Sequence, residues 1–366
     1  MKFFIAIARD WYGKNERPIS SASLVIGFIF EWFTLEHIDQ FWENLWVAAH
    51  FLIIAILLIL VNFHENKAAD LPSHKDASKT HFWYLTFLQG FFGGLLSTFL
   101  VFYFRSATLA VSWPFLLILA AAFIANESFK KNYERLIFQI CLFYLMLLTF
   151  TIYIVPVFID RIGPDIFLIS GLISLFTIFI FVFAIGFFAK EKFKKQRSML
   201  AASVLGIFLL ANILYFLNLI PPIPLSIADA GIYHSLYKDA SGNYVVSGEV
   251  AESFQKFFST ENFHWVPGSP IYAYSAIYSP ALFNTEIIHE WQRYDENAGD
   301  WVVVTRVNLS ARGGRDEGWR IYSMKTGVSP GSWRVNVETA DGQVIGRLRF
   351  DIVQTDTPPI LKTYIK

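Results

Sequence analysis

The chain has 366 residues and a net charge of zero, with 54% hydrophobic, 18% aromatic and only 16% charged residues. That balance is too apolar for one soluble fold. Neutral overall charge argues against nucleic acid as a partner, and one cysteine, Cys141, rules out an intrachain disulfide and any cysteine-based metal site.

The N-terminus does not read as a cleavable signal, because Arg9 and Asp10 interrupt a short apolar stretch. Phe4, Ile7, Ala8 and Trp11 share one helical face, which predicts an amphipathic leader over 1–17 lying on the membrane surface. Apolar runs follow near Ile19–Leu35, Phe41–Phe63, Phe82–Phe104, Thr108–Ala125, Leu136–Ile159, Ile166–Ala189 and Met199–Ile220. Each is roughly the length needed for about 30 Å of hydrocarbon. The expectation is an α-helical polytopic membrane bundle of about seven spans over 18–225.

Lysine and arginine set the orientation. They gather in the leader (Lys2, Arg9, Lys14, Arg17) and in every second connection after it. Those connections hold Lys67, Lys75 and Lys79, then Lys130, Lys131 and Arg135, then Lys190, Lys192, Lys194, Lys195 and Arg197. The alternate connections hold none, then Arg105, then Arg161. The N-terminus is therefore expected in the cytoplasm of a bacterial inner membrane, and everything after Ile220 on the far side. Trp32, Trp42, Trp46, Trp83 and Trp113 lie near span ends, where indole rings favour the headgroup level.

Polar groups within spans are costly and so worth locating. Glu43 and His50 are seven apart and share a helical face, and Glu31 lies at the same outer level. Glu31, Glu43 and His50 are expected either to form an intramembrane polar cluster open to the outside, or to be satisfied singly at the interface and by neighbours. Gln89, Gln139 and Asn212 are the other mid-span polar residues. Gly90 and Gly94, with Thr98, make a small-residue stripe fit for packing against a neighbouring span or for a homodimer.

Pro221, Pro222 and Pro224 end the last span as a stiff exit, and a domain boundary is expected at about Ser226. Over 226–265 the sequence predicts a linker with a hairpin around Asp239–Gly242 and a helix over Glu249–Phe258. Over 266–366, period-two runs bounded by Gly, Pro, Asp and Asn predict strands at Ile271–Tyr278, Glu286–Tyr294, Trp301–Ser310, Trp319–Lys325, Ser332–Thr339 and Gln343–Val353. Short strands at that spacing argue for an all-β, immunoglobulin-like sandwich.

Asp341-Gly342 reads as a two-residue type I′ turn. Pairing outward from it sets Thr339 opposite Val344, Val337 opposite Gly346, Val335 opposite Leu348 and Trp333 opposite Phe350 as a core face. The other face places Asn336 opposite Arg347 and Arg334 opposite Arg349. Like charges directly opposite are unfavourable, so this face, with Arg320 from the preceding strand, is a candidate anion-binding surface for an envelope glycan, lipid headgroup or carboxylate. The alternative is a solvated face diluted by Glu338 and Asp351.

The stretches His289–Trp291, Gly318–Lys325, Gly331–Val337 and Asp341–Phe350 resemble the bacterial domain of unknown function family 2914. The resemblance covers roughly the last hundred residues and implies an uncharacterised domain at the C-terminal end of membrane-anchored proteins. It carries no catalytic residues and no cofactor onto this chain.

His289-Glu290 begins like a zinc protease motif, but Arg293 stands where the second His belongs. His234, His264 and His289 are too scattered to predict a metal site. No nucleophile elbow, Walker loop or dinucleotide fingerprint is present. The sequence thus points to a multi-pass membrane protein presenting an extracytoplasmic β domain that binds or scaffolds an envelope component or partner protein. The alternative is a membrane enzyme or transporter for an envelope lipid or small solute, using Glu31, Glu43 and His50.

Overall fold

The computed structural model describes residues 26, 28–29, 31–33, 41–68, 74–106, 109–128, 132–133, 135–188, 190–222, 225–249, 261–278, 285–311 and 319–366. It divides into a helical unit and a β unit that contains Pro221–Lys366.

The helical unit contains α1 (Phe41–Ala68), α2 (His74–Ser106), α3 (Leu109–Ser128), α4 (Leu136–Ile159), α5 (Pro164–Phe188) and α6 (Lys190–Phe216). Five carry apolar stretches long enough to cross a membrane: Trp42–His64, Trp83–Phe104, Leu136–Ile159, Pro164–Phe188 and Phe193–Phe216. Among the described residues these account for five of the expected seven spans. The apolar part of α3 is the shorter stretch Ser112–Asn126, below the ~20 residues a perpendicular span needs. The first expected span falls largely outside the described residues, although Ile26, Phe28, Ile29 and Glu31–Phe33 are helical. The amphipathic leader lies outside them altogether.

α4 is the hub. Of its span 72% is buried, against 22–50% for the other four, and it is apolar all round, as a surrounded helix must be. Its one strongly polar side chain, Gln139, is fully buried and accepts a 2.8 Å hydrogen bond from Asn62 on α1. Gln139 in turn donates to the Tyr133 carbonyl, and the Tyr133 hydroxyl donates to Asn126 on α3. The Asn126 carbonyl accepts from Gln89 on α2 at 3.1 Å. A chain of amides thus ties four helices together where hydrocarbon offers no alternative partner.

α6 ends in a Schellman motif. Asn218 adopts φ 59°, Leu219 N–H donates to the Leu214 carbonyl at 2.8 Å, and Asn218 N–H to Tyr215 at 2.9 Å. Pro221 and Pro222 follow, and the first strand opens at Ser226.

The β unit has eleven strands: β1 (Ser226–Tyr233), β2 (Ser235–Lys238), β3 (Tyr244–Glu249), β4 (Glu261–Trp265), β5 (Ile271–Tyr278), β6 (Thr285–Asp295), β7 (Asp300–Ala311), β8 (Trp319–Lys325), β9 (Gly331–Thr339), β10 (Val344–Gln354) and β11 (Leu361–Ile365). They form sheets ordered β1-β5-β8, β4-β10-β9-β6-β7 and β11-β3-β2. The six strands expected after residue 266 fall within about two residues of β5–β10. β1, β4 and β11 have no counterpart in the sequence reading; β4 pairs parallel to β10 across a long sequence gap, which local pattern does not reveal. The expected helix at Glu249–Phe258 begins on Glu249, the last residue of β3, and otherwise lies outside the described residues.

The β9–β10 register matches the expectation from Val337–Gly346 outward, including Arg334 opposite Arg349. The turn differs. Thr339 N–H donates to the Gln343 carbonyl and Gly342 N–H to Thr339, both at 2.9 Å, with Gly342 at φ 78°. This is a three-residue loop with a glycine bulge, so Val344 pairs with Glu338 rather than Thr339. The Asp239–Gly242 hairpin closes in the same way.

The first two sheets face each other over a core of Trp265, Ile271, Trp291, Trp333, Val335 and Phe350. One polar strut crosses it. His289 on β6 is fully buried between Ser275 of β5, 2.8 Å from Nε2, and Ser323 of β8, 2.9 Å from Nδ1. The Trp291 indole N–H donates to the same Ser323 hydroxyl at 3.0 Å. The apparent start of a zinc motif is therefore an interior brace. Burial pushes the His289 pKa down from 6.5 to about 4.

A depressed histidine favours the folded state while neutral. Its contribution is complete above pH 6.5 and declines as pH falls toward about 4, by up to ~3 kcal/mol. Hydrogen exchange of the β5 and β6 amides across that range is expected to show this loss in the native chain and not in His289→Gln. His289→Ala, which leaves two buried hydroxyls short of a partner and opens a cavity, is expected to cost ~2–4 kcal/mol at neutral pH.

Candidate functional site

Alternation places one set of side chains on the core and the other on the outer face of the five-stranded sheet. Register then builds two cross-strand rows on that outer face. One runs Arg349, Arg334, Gln292 and the next Arg347, Asn336, Glu290, Arg306. Glu290, only 3% exposed, is the focus. Arg306 reaches its Oε2 through Nε and one Nη, each at 2.5 Å. Gln292 donates to its Oε1, and Arg334 donates to Gln292. Arg334 also lies over the Trp301 ring, 4.3 Å from its centroid. Arg347 donates to Asn336 Oδ1 at 2.6 Å.

The charge is not evenly compensated. Arg306 has Glu290, but Arg334, Arg347 and Arg349 form no ion pair among the described residues. Burial, then the proximity of Arg347 and Arg349, pushes the Arg334 pKa down to about 10. Burial and Arg349 likewise lower that of Arg347. Glu338 moves the opposite way, raised first by burial and then by Glu290. Arg349 is exposed, while Arg334 and Arg347 are half-buried. Such a face can accept an anionic group in bidentate fashion.

Arg320 does not join it. It lies on β8 in the three-stranded sheet, where its Nη1 donates to the Lys366 carbonyl at 3.1 Å.

In the helical unit, two of the three acidic and histidine candidates lie against the same stretch of α2. His50 on α1 sits so close to Gly94 that an added Cβ there would lie 3.4 Å from Nε2. Its Nδ1 is 3.0 Å from the Trp46 carbonyl, which leaves Nε2 as the free acceptor. Glu31 accepts from Thr98 Oγ1 at 3.4 Å, one helical turn along α2 from Gly94. Glu43 begins α1, two turns before His50. Gly94 therefore packs within the chain, whereas a Cβ added at Gly90 would meet no atom within 4 Å.

Sequence reading missed Glu249. Its carboxylate joins His234 Nε2 at 2.9 Å and His264 Nδ1 at 2.6 Å, and also accepts the His264 N–H at 2.7 Å. Burial opposes its ionisation, but the hydrogen bonds from His264 and His234 outweigh it and lower the pKa. The cluster links β3 to β4. Among the described residues no group of three His, Cys, Asp or Glu side chains has the arrangement of a metal site, and His289 lies apart in the core.

Helices able to cross a bilayer, followed by a β-rich domain, define a membrane protein with a C-terminal β module. Residues 284–352, from β6 through most of β10, match the family described as protein of unknown function (DUF2914). That match lies within the C-terminal β unit. No curated protein matches the chain.

Removing one of two facing cations relieves repulsion, so Arg349→Gln is expected to raise the unfolding midpoint of the β unit, by a few tenths to ~1 kcal/mol. Arg334→Ala has the opposite sign, because it removes the Trp301 contact and the bond to Gln292, at ~1–2 kcal/mol. Urea titrations of both variants check the pair.

Proposed function

We propose that this is a multi-pass protein of a bacterial cytoplasmic membrane whose C-terminal domain, an immunoglobulin-like sandwich outside the cytoplasm, binds or scaffolds an anionic envelope component or partner protein. One observation carries the binding reading: Arg334, Arg347 and Arg349 stand together on one sheet face with no carboxylate partner among the described residues. An anion there would offset the burial and the mutual repulsion that together hold the Arg334 and Arg347 pKa values down. The location rests on the alternation of lysine and arginine between connections, which favours a cytoplasmic N-terminus.

A second reading, a membrane enzyme or transporter, draws support from the proximity of Glu31 and His50 to one turn of α2. In that case Glu31→Gln and His50→Ala would abolish function while leaving the arginine face intact.

Protease added to intact spheroplasts is expected to remove the β domain; cleavage only after lysis would place that domain in the cytoplasm and overturn the location. Crosslinked membranes are then expected to yield a partner or glycan with the native chain. Arg347→Gln combined with Arg349→Gln is expected to lose it, and equal recovery by both would sink the binding face.

A further inference from the structure

We propose that the groove between α5 and α6 holds one anionic phospholipid, with an acyl chain between the helices and its phosphodiester on Arg197. This needs only that the two helices lie in a bilayer; it does not depend on which side the β domain occupies.

The groove has a structural cause. α5 and α6 run antiparallel and meet at two points where glycine admits an aromatic ring. A Cβ on Gly171 would lie 2.7 Å from the Phe208 ring, and one on Gly186 would lie 3.3 Å from Phe193. Phe167 stacks on Tyr215 beyond the first point, with centroids 3.8 Å apart. Between these contacts the helices part, leaving a cavity of about 410 Å³. Its walls include Leu175, Phe179 and Val182 of α5 and Leu200, Ala201 and Val204 of α6. All are apolar, which suits a hydrocarbon chain and not a hydrated solute.

The single charged group in the lining is Arg197. It lies next to Phe193, at the end of the groove closest to the α5–α6 connection. Lys190, Lys194 and Lys195 on the same two turns are exposed, as is Arg197. Lys190 stands in the first turn of α6, where the helix dipole already presents its positive end, and Lys194, Lys195 and Arg197 follow within the next turn or so. Like charge at that end is unfavourable unless an anion compensates it, and Glu191 is the only acid in that stretch of sequence. A guanidinium offers a phosphodiester two parallel N–H donors, and the lysines add long-range attraction. Basic pockets between membrane helices recognise anionic headgroups by this combination. An apolar slot continuous with a cationic mouth has the polarity of one phospholipid molecule.

The test uses the full chain, delipidated in mild detergent and titrated with phosphatidylglycerol or phosphatidylcholine, with bound lipid counted by native mass spectrometry. Preferential retention of one phosphatidylglycerol is expected. Arg197→Gln is expected to weaken it about fivefold, the worth of one surface cation, with Arg197→Lys partly restoring it. Val204→Trp fills the groove with the charges intact and is expected to abolish retention. Arg135→Gln, a cation elsewhere, is expected to leave it unchanged. Melting of each variant confirms folding. Equal retention of both lipids would mean bulk lipid fills the groove and would overturn the proposal. So would a loss with Arg135→Gln as large as that with Arg197→Gln, or binding of glycerol phosphate as tight as that of the whole lipid. Carbonate extraction separately tests whether the helices cross the membrane at all.

Discussion

A carboxylate in the middle of a central strand must be paired, because a lone buried charge is among the costliest defects a fold can carry. Glu290 meets that demand by recruiting Arg306 from β7 and Gln292 from its own strand. The order of the outer face follows. Gln292, committed to Glu290 through its N–H, turns its oxygen to Arg334, and Arg334 is held in place over Trp301. Glu290 is thereby satisfied with one guanidinium, while three others remain on the sheet. Had Glu290 been apolar, Arg306 would add to the repulsion. Had a second acid stood at Asn336, Arg347 would be neutralised. The face is cationic by arrangement, although the chain as a whole is neutral.

The helical unit solves the same problem with amides. Gln139, Asn62, Asn126 and Gln89 need no ionisation to satisfy one another, which suits a region where charge is expensive and a neutral hydrogen bond contributes ~1 kcal/mol or so. Placing this network around the most buried helix lets one element fix three others. Glu31 and His50 stand outside it, against α2, and each keeps polar capacity that the network does not use.

Much of this was legible in the chain because it rests on local periodicity. The strands β5–β10 follow from alternation. The Arg334–Arg349 pairing follows from counting outward from Asp341-Gly342, and survives a turn of the wrong type because a bulge at Ile345, between Val344 and Gly346, restores the register at Val337. What was not legible depends on partners distant in sequence. β4 joins β10 across more than one intervening sheet strand, Glu249 finds His264 only in the fold, and Arg320 looks contiguous with Arg334 in sequence yet belongs to the opposite sheet. His289 illustrates the limit well. Its neighbour Glu290 suggests metal chemistry, but adjacent strand residues point to opposite faces, so one braces the core while the other organises the surface.

The two cationic features differ in how firmly geometry holds them, and that difference bears on what each can recognise. Arg334 and Arg347 are half-buried and bonded to fixed amide oxygens, so an incoming anion meets donors already oriented, and salt screens them less. Lys190, Lys194, Lys195 and Arg197 on α6 are exposed and long-stemmed, so their attraction is broad and strongly screened. Alone they would select only for negative charge. Selectivity for a lipid over a free anion has to come from the groove beside them, since only a ligand with an apolar tail can use both. Cations at the start of α6 therefore need the glycine-bounded parting of α5 and α6 beside them before they could choose a molecule.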